Sequence, residues 1–351
     1  MLEKIEKYFQ DVIAPQAQIL DDDTEALKNA LKILGDRNLL GLKISQQWGG
    51  EEWDDQKFYQ YQMMIAQYSG ALAFLQTQHQ SAGKTILSSE NEALKQEYLP
   101  AMAKGKKLVG IGYSQLRKID KPMMVAKDTK NGFELTGIVP WITGYNLFDE
   151  FIIGAILPNK KAIYALIPFK NITQDKGGSL QLSKIMKLAV MECTNTVSAN
   201  VTKLLVKPEK ILLICDLKDF QEKGKTNILH HSFFPLGCSK AAIEVIKNIA
   251  QEKQISFLEK TINKLTTKLN IITEDIFKAL PPANYTFEDR LKLRTKAIQL
   301  SMKSSQACVI ASSGAGNSKL HPAQRIYREA LLFAVSGQTR EIMEESLNNF
   351  L

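Results

Sequence analysis

The hydrophobic period of this chain changes twice, which limits it to helices on either side of a β unit. In residues 1–107 apolar side chains recur at three- and four-residue steps. Ile5, Phe9, Val12 and Ile13 share one helical face, and Ala26, Leu27, Ala30, Leu31 and Leu34 repeat the pattern. In residues 108–212 the step becomes two, with candidate strands at 108–114, 133–136, 151–157, 162–168 and 197–206. Turn clusters such as Pro158-Asn159-Lys160-Lys161 and Lys176-Gly177-Gly178 separate them. From about residue 226 the helical step returns. Leu258, Ile262, Leu265, Leu269, Ile272 and Ile276 form a stripe suited to helix-on-helix packing, and Pro281-Pro282 ends that helix. Further helices are expected at 291–311, 322–335 and 339–350. The expected fold class is α+β. It comprises an N-terminal helical domain at 1–107, a central antiparallel β-barrel or sandwich at 108–212, and a C-terminal four-helix-type bundle at 213–351.

Composition narrows the class of partner. No apolar run approaches the roughly 20 residues that span a bilayer, so no membrane association is expected. The amphipathic, acidic start Met1-Leu2-Glu3-Lys4-Ile5-Glu6 does not read as a signal peptide. Cys193, Cys215, Cys238 and Cys308 are scattered without C-x-x-C spacing, which suits free thiols in a reducing cytoplasm and no metal site. The net charge of +8 comes mostly from dispersed lysines. A nucleic-acid surface needs clustered basic residues, so no nucleic acid is expected. A general attraction for anionic small molecules remains.

One segment carries the sharpest local signal. Asn131-Gly132 marks a turn, because both residues tolerate positive φ. Phe133 and Leu135 alternate with Glu134 and Thr136 as a half-buried strand, and Gly137 interrupts it. A second short strand ends in Trp141-Ile142-Thr143 before Gly144. An indole and a hydroxyl two residues apart at a strand end point to one face. Such a pair can stack on a flat ligand and hydrogen-bond its edge. On local physics alone a hairpin with a core tryptophan is the simpler reading.

This segment resembles the flavin-contacting hairpin of the acyl-CoA dehydrogenase family. Three other segments stand in that family's order. Leu39-Leu40-Gly41-Leu42 with Gln47-Trp48-Gly49-Gly50 is similar to its Gly-Leu…Tyr-Gly-Gly loop. Tyr98-Leu99-Pro100-Ala101-Met102-Ala103-Lys104-Gly105 is similar to its passage into the middle domain. Arg325-Ile326-Tyr327-Arg328-Glu329-Ala330 is similar to its Arg-x-x-Arg-Asp-Ala helix. The resemblance implies FAD between the β domain and the bundle. Trp141 and Thr143 match the Trp-x-Thr pair that touches the isoalloxazine, and Ser114 stands where a threonine hydroxyl meets the flavin. Gly314 and Gly316 match a glycine-rich loop that approaches the pyrophosphate from a neighbouring subunit, and Thr339 matches the threonine of a cofactor-side Gly-Thr. A homo-oligomer, dimer or tetramer, follows from the same resemblance.

The chain also departs from the family. After Ser114 the loop reads Leu116-Arg117-Lys118-Ile119-Asp120-Lys121-Pro122, with added positive charge. The segment Gln251–Phe257 lacks the family's pyrophosphate arginine, and Lys253 offers only a point charge there. Ser336 and Asn227 occupy the two positions where the family places its catalytic glutamate, so no base is assigned. A serine acts as a base only when a His or Lys activates it. His79 reads as a helix residue or pocket wall, His230-His231 precede the bundle, and His321 before Pro322 reads as a helix start.

The resemblance implies a FAD-dependent oxidoreductase acting on the CH–CH bond of a small acyl thioester, an acyl-CoA. Two alternatives share the fold. One is a reduced-flavin monooxygenase, which needs no α-proton base. The other is a catalytically inactive binding or assembly relative.

Overall fold

The computed structural model describes residues 1–117 and 120–349. Lys118 and Ile119, in the loop after Ser114, and Phe350 and Leu351, at the end of the last expected helix, lie outside the described residues.

The N-terminal helices are α1 (Leu2–Tyr8), α2 (Ala17–Asp22), α3 (Thr24–Asp36), α4 (Asp55–Tyr68), α5 (Gly70–Leu87) and α6 (Glu92–Ala103). Cap chemistry sets their starts. Asp23, Asp54, Ser69 and Asn91 each accept a backbone N–H from the first turn of α3, α4, α5 and α6.

The strands are β1 (Val109–Gly112), β2 (Met124–Thr129), β3 (Gly132–Ile142), β4 (Glu150–Ile156), β5 (Lys161–Pro168), β6 (Ile172–Thr173), β7 (Ser179–Leu182), β8 (Val197–Val206) and β9 (Ile211–Asp216). They form one sheet in the order β6-β7-β8-β3-β2-β4-β5-β9, with β1 alongside β4. The central unit is mostly antiparallel, as expected, but β4 pairs in parallel with both β1 and β2. The β2–β3 hairpin separates β1 from β4 along the chain, and a crossover of that length permits parallel pairing. The sheet also runs past residue 212, because β9 pairs with β5.

The strand break expected at Gly137 does not occur. Gly137, at φ +142°, marks a register shift of β3 against β8, so the chain bulges and continues. A second irregularity lies between Val139 and Ile142. Both of these side chains stay buried, and Trp141 between them is turned out of the core.

The C-terminal helices are α7 (Leu217–Thr226), α8 (Phe233–Glu252), α9 (Leu258–Lys278), α10 (Phe287–Ala311), α11 (Pro322–Val335) and α12 (Arg340–Asn348). Helices α8 to α11 pack on one another, and α8 also packs along α4. The α9 stripe faces inward, with Leu258, Ile262, Leu269 and Ile276 buried. Thr286 and Asp289 form a reciprocal cap on α10. His321 Nδ1 accepts the Ala323 N–H at 3.2 Å, so His321 starts α11 as the sequence suggests. Among the described residues no helix is long and apolar enough to cross a membrane.

His79 ties three elements together from the centre of α5. Its Nδ1 accepts the Val109 N–H at 3.1 Å, which leaves Nε2 to donate to the Met102 carbonyl at 3.1 Å. The ring is fully buried, and burial pulls its pKa down to about 4. The unfolded chain binds this proton near pH 6.5 and the folded chain does not, so stability is lost as pH falls from 6.5 toward 4. Between neutral pH and pH 5 this one ring is expected to remove about 2 kcal/mol of stability. Urea unfolding at the two pH values measures it, and His79→Gln should flatten that part of the profile. An unchanged slope in the variant would count against the assignment.

Candidate functional site

A cavity of about 790 Å³ lies where the sheet, the bundle and helices α4 and α5 meet. That volume falls within the usual range for small-molecule sites, about 300–1,000 Å³. The sheet side presents Ser114, Trp141, Thr143 and Thr196, and the bundle side presents Phe234 and the segment Leu331 to Gln338.

Trp141 and Thr143 share this wall. The irregularity before Ile142 explains why: a bulge re-aims a side chain while its neighbours keep their alternation. The indole is 54% exposed, so it is not the core tryptophan of a simple hairpin. Thr143 is buried, and its Oγ1 lies 3.0 Å from Thr196 Oγ1. Each hydroxyl pair of this kind retains hydrogen-bonding capacity for a further partner.

The position that resembles the family's glutamate is Ser336, directly after α11. Its Oγ lies 3.4 Å from His231 Nδ1, and both residues line the cavity. The Ser336 carbonyl accepts from Arg294 Nη2 at 2.7 Å, which fixes the loop from beneath. Gly337, at φ +64°, lies on the imidazole; a Cβ there would meet His231 Cδ2 at 2.6 Å. Burial, with Arg294 and Arg117 nearby, holds the His231 pKa well below its ordinary value, so the ring is neutral at physiological pH. Sequence reasoning did not pair these two residues, because 105 positions separate them.

Arg294 is fully buried on α10. Its Nε and Nη1 have no partner among the described residues, and burial beside Arg117 pulls its pKa down to about 9. On the α4–α5 side, Lys43 Nζ donates to Asp55 Oδ1 at 2.7 Å and to the Trp53 carbonyl at 2.9 Å. Burial would raise the Asp55 carboxyl, but the Lys43 hydrogen bond and charge outweigh it and hold the pKa below the ordinary value. Burial and the Lys84 charge pull His230 down to about 3. Among the described residues Asp55 is the one carboxylate on the cavity wall, against Lys43, Lys84 and Arg117. The wall is therefore electropositive. Apart from the charge placed after Ser114, none of this was legible in local spacing.

The other sequence-derived residues lie elsewhere. Gly314 and Gly316 sit in the 3₁₀ turn Ser313–Asn317 after α10, away from the cavity. Thr339 caps α12, its Oγ1 accepting the Ile342 N–H at 3.4 Å, one residue beyond the cavity-lining Gln338. Asn227 closes α7 and Lys253 closes α8, and neither lines the cavity. Among the described residues no cluster of His, Cys, Asp and Glu could hold a metal ion. The four cysteines are free, with Cys193, Cys238 and Cys308 buried.

Comparison with known proteins bears on this arrangement. Residues 1–106 match the family model described as acyl-CoA dehydrogenase, N-terminal domain. A glutaryl-coenzyme A dehydrogenase solved with glutaryl-CoA superposes with a TM-score of 0.83 at 18% identity, over 99% of this chain and 93% of that one. The fold is that of the acyl-CoA dehydrogenases. A glutaryl-CoA dehydrogenase of Mycobacterium smegmatis in complex with FADH2 gives a TM-score of 0.82 at 14% identity, over 99% of this chain and 92% of that one. An acyl-CoA dehydrogenase of Bacillus subtilis (strain 168) is 22% identical over 379 residues, covering 100% of this chain and 97% of its own length. Mitochondrial isovaleryl-CoA dehydrogenase of Bos taurus is 28% identical over 157 residues, 43% of this chain and 37% of its own.

Proposed function

We propose that this acyl-CoA dehydrogenase-like chain binds FAD in the cavity and is an oxidoreductase acting on the CH–CH bond of an acyl-CoA. Trp141 carries the reading. Its indole is half-exposed on the cavity wall, and among the described residues no aromatic side chain stacks on it. In this reading Trp141 packs against the isoalloxazine while Thr143 and Ser114 hydrogen-bond its edge. Bound FAD would supply a two-electron acceptor, chemistry that no side chain here provides. The excess of Lys and Arg on the wall attracts a ligand that carries phosphates. In this reading His231 Nδ1 and Ser336 Oγ, 3.4 Å apart, stand at the position of the family's glutamate, where a weakly basic imidazole takes the place of a carboxylate. Gly314, Gly316 and Thr339 serve the cofactor only when a neighbouring copy completes the site, in a homodimer or tetramer. A cytoplasmic location accompanies the reading.

Titration of FAD into the purified protein is expected to saturate, and an acyl-CoA added without oxygen is expected to bleach the bound flavin. A second reading, a reduced-flavin monooxygenase, is favoured by Asp55 being already paired with Lys43. A protein that takes up FAD, resists bleaching by acyl-CoAs and consumes oxygen with reduced flavin would transfer the assignment to it. Failure to take up FAD would leave a binding or assembly role.

A further inference from the structure

The loop after α11 rests on a buried charge that no neighbouring side chain balances. Arg294 is fully buried and donates Nη2 to the Ser336 carbonyl at 2.7 Å, while its Nε and Nη1 have no partner among the described residues. Burial, and then Arg117, lower its pKa only to about 9, so the guanidinium is charged at physiological pH. Buried charges are ordinarily paired. Among the described residues the arginines in ion pairs are Arg325 and Arg328, so neither Arg294 nor Arg117 has one.

The groups around this corner add no negative charge. His230 and His231, in the turn before α8, are neutral at physiological pH, because burial above all holds both far below the ordinary histidine value. Arg117 ends the 3₁₀ turn Ser114–Arg117 and lines the cavity. Tyr59 and Tyr113, also on the wall, are pushed up by burial and stay neutral. The one carboxylate on the wall among the described residues, Asp55 of α4, is held by Lys43 at 2.7 Å. Ser336 and His231 also keep a donor free. A neutral imidazole and a hydroxyl hold two polar hydrogens, and their 3.4 Å contact uses one of them. In either tautomer one N–H or O–H remains.

We propose that this corner holds negative charge on the ligand, binding the acyl group of a 3-oxoacyl-CoA as its enolate. The inference rests on the reading of the cavity as an acyl-CoA site and deepens it. A carboxylate at the position of Ser336 would repel an enolate, whereas a hydroxyl backed by Arg294 and Arg117 attracts one. The C–H bond between the two carbonyl groups breaks, its proton passes to bulk water, and the electron pair spreads onto the two carbonyl oxygens. Arg294 does not line the cavity and acts through the loop it holds, as a positioning residue.

A pH series of the purified protein with acetoacetyl-CoA, read by the near-ultraviolet absorbance of the enolate, tests this. Bound ligand is expected to half-ionise at least about one pH unit below free ligand, which is about tenfold more enolate at a given lower pH. Arg294→Met is expected to abolish the shift while its urea midpoint holds or rises, because an unbalanced buried charge is gone. A midpoint that falls while the shift survives would make the guanidinium a structural group and overturn the proposal. Arg117→Gln, on the cavity wall, is expected to remove part of the shift. It decides the matter if Arg294→Met is destabilised, and an unchanged shift there would overturn the proposal. Bound ligand that ionises at the same pH as free ligand overturns the enolate corner and leaves the acyl-CoA reading standing. Failure of acetoacetyl-CoA to bind removes both. An enolate shift in a protein that takes up no FAD keeps the corner and removes the oxidoreductase assignment.

Discussion

Glu329→Ala is expected to destabilise the folded protein by about 3–5 kcal/mol, enough to threaten folding of a chain of ordinary stability. Glu329 is fully buried on α11. Its Oε1 accepts from Arg325 Nη1 at 2.6 Å and from the Gly70 N–H at 3.0 Å, at the first residue of α5. One turn of helix thus satisfies a buried guanidinium and an orphan amide of another helix at once. Removing the carboxylate leaves the Arg325 charge buried without its partner and the Gly70 amide without its acceptor. On the same helix Arg328 Nη2 meets the buried Asp21 of α2 at 2.7 Å. The Arg-Glu motif is therefore a clasp between the bundle and the N-terminal helices, which together bound the cavity. Urea unfolding should show a large drop in midpoint for Glu329→Ala, and Glu329→Gln should recover part of it by still accepting the Gly70 N–H. A loss below about 1 kcal/mol would show that the clasp adds little beyond shape.

The second large effect concerns the cavity itself. Trp141→Ala is expected to weaken FAD binding about ten- to a hundredfold, the scale of losing one aromatic stacking surface. Trp141→Phe should retain most of the affinity. The half-exposed indole contributes little to the core, so thermal stability without ligand should barely change. This separates the prediction from that for Glu329, where stability falls and the cavity wall is untouched. Unchanged FAD affinity in Trp141→Ala would detach the indole from the cofactor.

The sequence reveals most of the scaffold and only part of the cavity, for physical reasons. Long periodic elements announce themselves: the α9 stripe at 258–276 shows its buried face through spacing alone. A glycine inside a strand is ambiguous, because Gly137 can end pairing or bulge it, and only the partner strand β8 decides. Strand β7 spans four residues, too short for alternation to stand out. Trp141 and Thr143 were visible as a shared face, but the irregularity that turns the indole outward depends on registration with β8. The contact between Ser336 and His231 was invisible. Ser336 ends α11 and His231 precedes α8, and they meet only through the packing of the bundle. Lys43, Asp55 and Lys84 come from three separate segments, and each reads in isolation as an ordinary solvated charge.

The central claim is that the indole wall and the helical bundle enclose a flavin. The visible spectrum of freshly purified protein, with mass spectrometry of any cofactor released on denaturation, tests it most directly. The account predicts flavin bands and the release of FAD. A colourless protein that stays colourless after incubation with excess FAD would contradict it.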